Sequence, residues 1–166
     1  EKYKSFEEFW TLCGGSACGG LGLILRLSRL YGYNQDALFF NKRASLCAYM
    51  INSRGLSTND KSLQFDDIDQ LPPLADSHVF RYMAVEQIIW TDPYFAYRLS
   101  CKTPFNDSSP DDFNFIFTMR ACSAYAMLLL FDAVNEARLK KGLDKIDIIQ
   151  LDNYVWRTSR SGIYDS

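Results

Sequence analysis

Residues 65–90 read FDDIDQLPPLADSHVFRYMAVEQIIW, and the order of residue types predicts two helical pieces reversing at a proline corner. Asp66, Asp67 and Asp69 favour a first helical turn, because carboxylates offset the unpaired N–H groups and the positive dipole end found there. Pro72 and Pro73 end that turn. Leu71 and Pro72 each precede a proline and are pushed towards extended backbone, so the chain reverses before Asp76 caps the next helix. Beyond Asp76, the residues Val79, Tyr82, Met83, Glu86, Ile89 and Trp90 recur at helical spacing. The stretch predicts a helix, a tight hairpin and a helix, with a carboxylate at the hinge.

Helical signals continue on both sides. Ser5 followed by Glu8 is a capping-box pattern opening a short helix that Gly14-Gly15 ends. Leu21, Ile24, Leu25, Ser28 and Leu30 resume helical spacing up to Gly32, a natural C′ residue. Asn34 or Asp36 is predicted to cap a long, central helix running to about Ser53, with Arg54-Gly55 as its stop. Beyond Trp90, Asp92-Pro93 reads as a break and Tyr94–Arg98 as a short extended piece or turn. Ser109-Pro110-Asp111-Asp112 combines a serine cap, proline at N1 and first-turn carboxylates. From there Phe113, Phe117, Ala121, Ala124, Leu128, Phe131 and Val134 predict a helix to Lys140. Asp144 or Asp147 caps a last helix containing Ile148, Leu151, Val155 and Trp156. Sustained strand alternation and internal repeats are absent, so the expectation is an all-α single compact helical domain over residues 1–166, with a helix-hairpin-helix-like corner.

The 166 residues suffice to bury roughly two thirds of the unfolded surface. With 48% hydrophobic and 15% aromatic residues, an ordered core is expected. A net charge of −2 and a pI near 5.4 provide no field to recruit a polyanion, so extended nucleic-acid binding is not expected. The cysteines, Cys13, Cys18, Cys47, Cys101 and Cys122, are odd in number and scattered. This suits free thiols in an intracellular, reducing compartment, cytoplasmic or organellar. With His78 as the single histidine, no metal site and no cofactor are expected. The apolar run Leu21–Leu25 is cut by Arg26 and Arg29, far short of the ~20 residues of a membrane span. No span is expected.

Three constellations invite a functional reading. The run GGSACGGLG at 14–22 exposes backbone N–H groups as a phosphate loop does, but lacks the terminal Lys-Ser/Thr and a preceding strand, which favours glycines serving close packing and a tight turn. Asn41-Lys42-Arg43 is a polar island in an apolar helix: either basic side chains reaching solvent, or a ligand-facing pair. Asp76 is either a helix cap or a carboxylate able to stabilise an oxocarbenium-like sugar or to activate water. Asp69 and Asp152 fit that chemistry less well. Serine or cysteine nucleophile chemistry has no motif around its one histidine.

The series FFNKRASL at 39–46, FDDIDQLPPLAD at 65–76, MRACSAYAM at 119–127 and LDNYVW at 151–156 resembles, in order and spacing, the C-terminal part of the queuosine salvage proteins. The resemblance implies an all-helical fold similar to that of helix-hairpin-helix DNA glycosylases. It also implies hydrolysis of a nucleoside or nucleotide N-glycosidic bond, releasing queuine from queuosine 5′-phosphate. By this carry-over Asp76 is the catalytic carboxylate. Lys42, with Arg43 beside it, and His78, Arg120, Asp152 and Trp156 are substrate-binding residues. Ser77, His78, Phe80 and Arg81 stand where the family has Tyr, Arg, Pro and Gln, and Thr118 replaces a glutamate. The resemblance further implies an N-terminal half, outside this chain, that shares in the base pocket. The implied partners are therefore a small-molecule nucleoside or nucleotide and that missing half or another protein. Two alternatives accompany this reading: a non-catalytic helical scaffold or interaction subunit that has lost the pocket, and a DNA-repair glycosylase-like protein. The acidic 66–69 run and the proline corner oppose the latter.

Overall fold

The computed structural model describes residues 4–30, 40–106 and 109–161, and among them the fold is all-α. The chain packs as two compact units, Glu1–Leu74 and Ala75–Ser166.

The first unit contains α1 (Phe6–Cys13), α2 (Leu23–Leu30), α3 (Lys42–Thr58) and two 3₁₀ turns, Lys61–Leu63 and Ile68–Gln70. Ser5 caps α1 by accepting from the Glu8 amide at 3.1 Å, whereas the Glu8 carboxylate reaches the Lys4 amide at 2.6 Å, one residue before the position a capping box requires. Gly14 closes the helix at φ 59°. The expected caps Asn34 and Asp36, and Gly32, lie outside the described residues. The described helix α3 begins at Lys42 behind Asn41, which is left-handed at φ 50° and makes no side-chain cap bond. Instead the Asn41 Oδ1 accepts from the Ser28 hydroxyl.

Gly55 does not stop α3. A Cβ there would stand 3.0 Å from the Asp60 carbonyl oxygen and from the Leu63 backbone. The glycine lets the following turn fold against the helix, which continues to Thr58 and ends at Asn59 with φ 54°. The helix buries small and polar residues, Ala44, Ser45, Ala48, Asn52 and Gly55, and exposes Leu46 and Met50. Its expected central position is not what its apolar side chains show. Asn52 accepts from the Phe65 amide at 2.9 Å, and Trp10 donates to the Ser62 carbonyl at 3.2 Å, tying the segment after α3 back to the helices.

The second unit contains α4 (Ser77–Val85), α5 (Pro93–Ser100), α6 (Pro110–Lys140) and α7 (Ile148–Arg160). Helix α4 packs on α7 and α6 around Val79, Met83, Ala126, Met127, Leu151 and Val155. It ends at Val85 rather than Trp90. Gln87 turns left-handed at φ 57°, and the Ile88 and Gln87 amides return to the Met83 and Ala84 carbonyls at 2.8 and 3.2 Å. This is a Schellman closure without glycine. Asp92-Pro93 starts a helix instead of breaking one: Asp92 accepts from the Tyr94 amide at 2.9 Å, and Pro93 occupies the first turn. Asp147 and Gln150 form a reciprocal capping box for α7, at 2.7 and 2.9 Å.

Helix α6 spans the expected residues, but its inward stripe is offset. Ser123, Ala126, Met127 and Asn135 are buried, whereas Ala121 and Leu128 are exposed. With an 18-residue window of mean hydropathy 1.4, α6 is long and apolar enough to cross a membrane. Only 22% of that window is buried, but two polar residues of the helix are bonded to protein neighbours. The Asn135 amide group brackets Ile146, accepting from its N–H at 2.8 Å and donating to its carbonyl at 3.1 Å, and Arg120 bonds into the start of α4.

Candidate functional site

Asp76 stands where the non-helical segment 71–76 enters α4, with its own backbone extended at φ −135° and ψ −173°. Its Oδ1 accepts from the His78 amide at 2.9 Å and the Val79 amide at 3.0 Å, and the residue is half-buried. The carboxylate is therefore a helix cap, held by two backbone donors. The preceding residue, Ala75, is fully buried, and its carbonyl accepts from the Arg120 Nε at 3.2 Å. The arginine in the apolar half of α6 thus fixes the backbone from which Asp76 projects.

Helix α7 brings the remaining candidates. The His78 ring meets Trp156 edge-on, with centroids 5.8 Å apart and planes inclined by 70°. The Arg160 guanidinium lies 4.5 Å from the Trp156 centroid, a cation–π distance. Asp152, one helical turn before Trp156 and so on the same side of α7, is buried. Direct links therefore join sequence-predicted residues to the α4 entry, Arg120 through the Ala75 carbonyl and Trp156 through His78 among them. Lys42 and Arg43 belong to the first unit, at the start of α3. Lys42 is half-buried; Arg43 is exposed and borders a shallow, largely apolar cleft of about 440 Å³ with Leu46, Met50 and Arg54.

The glycine-rich loop does hold an anion, and the anion is part of the chain. The Asp67 carboxylate accepts from the Ser16 hydroxyl at 2.7 Å and from the amides of Ala17, Cys18 and Gly19 at 2.6, 2.9 and 2.8 Å. Partial burial raises its pKa, but these four donors outweigh that effect and hold the carboxyl below the usual aspartate value. The loop is thus an anion nest filled by its own aspartate, and Asp67 serves it rather than a helical turn. Burial, with the Asp67 and Asp69 charges, pushes the Cys18 thiol up to about 11.

A cavity of the second unit is lined by none of the predicted residues. It is an open cleft of about 1280 Å³ beside α5 and the first turns of α6. Phe95 and Phe115 stack at 3.8 Å within 4° of parallel, and Phe105 stacks on Phe115 at 5.0 Å. Arg98 forks onto Asp112, with Nη2 3.1 Å from Oδ2, and also donates to the Pro104 carbonyl at 2.8 Å. Hydrogen bonds from Arg98, then from the Asn106 amide, hold the Asp112 carboxyl below its usual value. Phe80 lines the cleft from α4, one turn beyond Asp76, and Met119 lines it from the residue before Arg120. Reading Asp92-Pro93 as a break hides this cleft, because α5 forms one of its walls. The signal for α5 is the cap-then-proline pattern that Ser109-Pro110 also carries. Among the described residues, no three His, Cys, Asp or Glu side chains gather as a metal site.

A profile of the queuosine salvage protein family matches residues 5–165, nearly the whole chain. The chain belongs to the queuosine salvage protein family. The match extends the four short motifs to an alignment that includes both compact units. No curated protein and no solved structure gives a significant match.

Proposed function

We propose that the protein hydrolyses the N-glycosidic bond of a queuosine-type nucleoside or nucleotide, with Asp76 as the catalytic carboxylate. Family membership across residues 5–165 carries this reading. The geometry of Asp76 supports it. Oδ1 is fixed by two amides, and the Arg120 bond to the Ala75 carbonyl braces the chain behind it. Cleavage of the bond between the ribosyl anomeric carbon and the base nitrogen leaves positive charge on the sugar. A preoriented carboxylate stabilises that charge without reorganising. Water adds to the anomeric carbon and gives up a proton, and the base departs carrying one. Removing such a group costs about 10²–10⁴-fold in rate.

Asp76→Asn separates catalyst from cap, since asparagine caps a helix about as well as aspartate and folding should change by less than about 0.5 kcal/mol. Release of base from queuosine 5′-phosphate, followed by chromatography, is expected to fall by about 10²-fold or more in this variant. Release at the wild-type rate would remove Asp76 from the reaction. No release by the wild-type chain from any purine or deazapurine ribonucleotide would remove the reaction itself. The roles carried over to Lys42 and Arg43 are tested separately, by Lys42→Met and Arg43→Met, through a rise in KM.

A non-catalytic interaction subunit is the second reading, favoured by the large side chains that each unit leaves exposed: Met50 and Leu56 in the first, Trp90 and Tyr125 in the second. A solution mass equal to that of a monomer, without association with any partner, counts against it.

A further inference from the structure

The cleft beside α5 has a charge and a lining that select a ligand class. Its aromatic rim is open: Trp90 is 87% exposed, Tyr97 68% and Tyr94 60%. Ring faces attract cations, and this cleft already seats one of its own. The Arg98 guanidinium lies 4.5 Å from the Phe105 centroid and 5.8 Å from that of Tyr94, with Asp112 as its counter-ion. The pairing neutralises the one basic side chain of the lining. Asp92 and Asp111 remain there as carboxylates, and among the described residues neither has a basic partner. Asp92 caps α5 through its Oδ1, so Asp111 is the carboxylate left to a ligand: an anionic ligand would meet its like charge, and a neutral one would leave it and the ring faces unused. At about 1280 Å³ the space accommodates a flat ligand together with water.

We propose that this cleft binds an organic cation with a flat apolar body, an ammonium or amidinium group carried on an aromatic or heteroaromatic frame. The body lies against Tyr94 and Trp90, and the cationic group turns to Asp111. The inference does not depend on hydrolysis at Asp76, because it concerns equilibrium binding at side chains outside the reaction proposed above.

Ligand-observed NMR titration of the full chain tests it, with benzyltrimethylammonium as the probe and benzyl alcohol and benzoate as neutral and anionic comparators. Saturable binding with Kd of about a millimolar is expected for the cation, and roughly tenfold weaker binding for both comparators. Asp111→Asn and Trp90→Ala should each weaken the cation about fivefold with an unchanged circular dichroism spectrum. If either variant loses helicity, Tyr97→Ala replaces it. Comparator binding equal to that of the cation, absence of saturation by about 10 mM, or indifference to the substitutions overturns the proposal.

Discussion

Replacing Asp67 tests whether the glycine-rich loop is held by an internal anion. The wild-type carboxylate collects one hydroxyl and three amide donors from Ser16 to Gly19. A hydrogen bond to a charged group contributes about 1.5–3 kcal/mol when sequestered, so four would exceed the whole stability of many domains. Asp67 is only half-buried, however, and water reaches the donors once the carboxylate is removed. Solvent screening reduces the sum severalfold, and Asp67→Ala is expected to cost about 2–3 kcal/mol. With a urea m-value of about 2 kcal/mol/M, that moves the unfolding midpoint down by about 1–1.5 M.

The folded carboxyl titrates below the ordinary aspartate value, so its contribution is complete above about pH 4 and declines as pH falls through the lowered folded value. The gap between wild type and Asp67→Asn should therefore shrink on acidification. Taking that difference cancels Asp112, whose carboxyl is also held low. Because the three amides survive in Asp67→Ala, sulfate should restore part of its stability where chloride at matched ionic strength does not. Equal midpoints for wild type and variant at pH 7, or a gap that widens in acid, would refute the reasoning.

Cys18 should resist iodoacetamide at pH 8 far more than exposed Cys101 and Cys122, and Asp67→Asn should speed its alkylation, as read by peptide mass spectrometry. Gly55→Ala gains about 1 kcal/mol of helix propensity but drives a Cβ to 3.0 Å from backbone atoms of Asp60 and Leu63, so a net loss of about 1–2 kcal/mol is expected in urea melts. Asn135→Ala leaves the Ile146 N–H and carbonyl without their side-chain partner, and should lower stability by about 2 kcal/mol by the same measurement.

The helix starts are legible in the sequence where their chemistry is local. Ser5, Asp76, Ser109 and Asp147 each place a side-chain oxygen within three residues of the amide it satisfies, a relation that one-dimensional spacing contains. The misreadings at Gly55 and Asp67 share one cause: each residue is used by a segment distant in sequence or folded back in space. Gly55 answers to the turn at 60–63, and Asp67 answers to a loop roughly fifty residues earlier. Asp92-Pro93 differs from both, since its cap-and-proline pattern is present and local. In α6 the apolar residues surround the helix, so periodicity cannot say which stripe faces inward, and only packing against α4 and α7 decides it.

The candidate site divides in the same way. The position of Asp76 follows from local spacing, but Arg120 on the Ala75 carbonyl and Trp156 against His78 require α6 and α7 to arrive beside α4. Capping and catalysis are not competing uses of that carboxylate. A cap fixes one oxygen by hydrogen bonds within the first turn, and fixation lets a charge act on a transition state without a reorganisation cost at the moment of reaction. The two uses differ in what they require of the residue. A cap needs an acceptor oxygen, which asparagine supplies, whereas stabilising a cationic sugar needs the negative charge, which it does not. The stability and the turnover of Asp76→Asn therefore report on separate properties of one side chain, and a variant that folds like wild type but releases no base assigns the charge, apart from the cap, to the reaction.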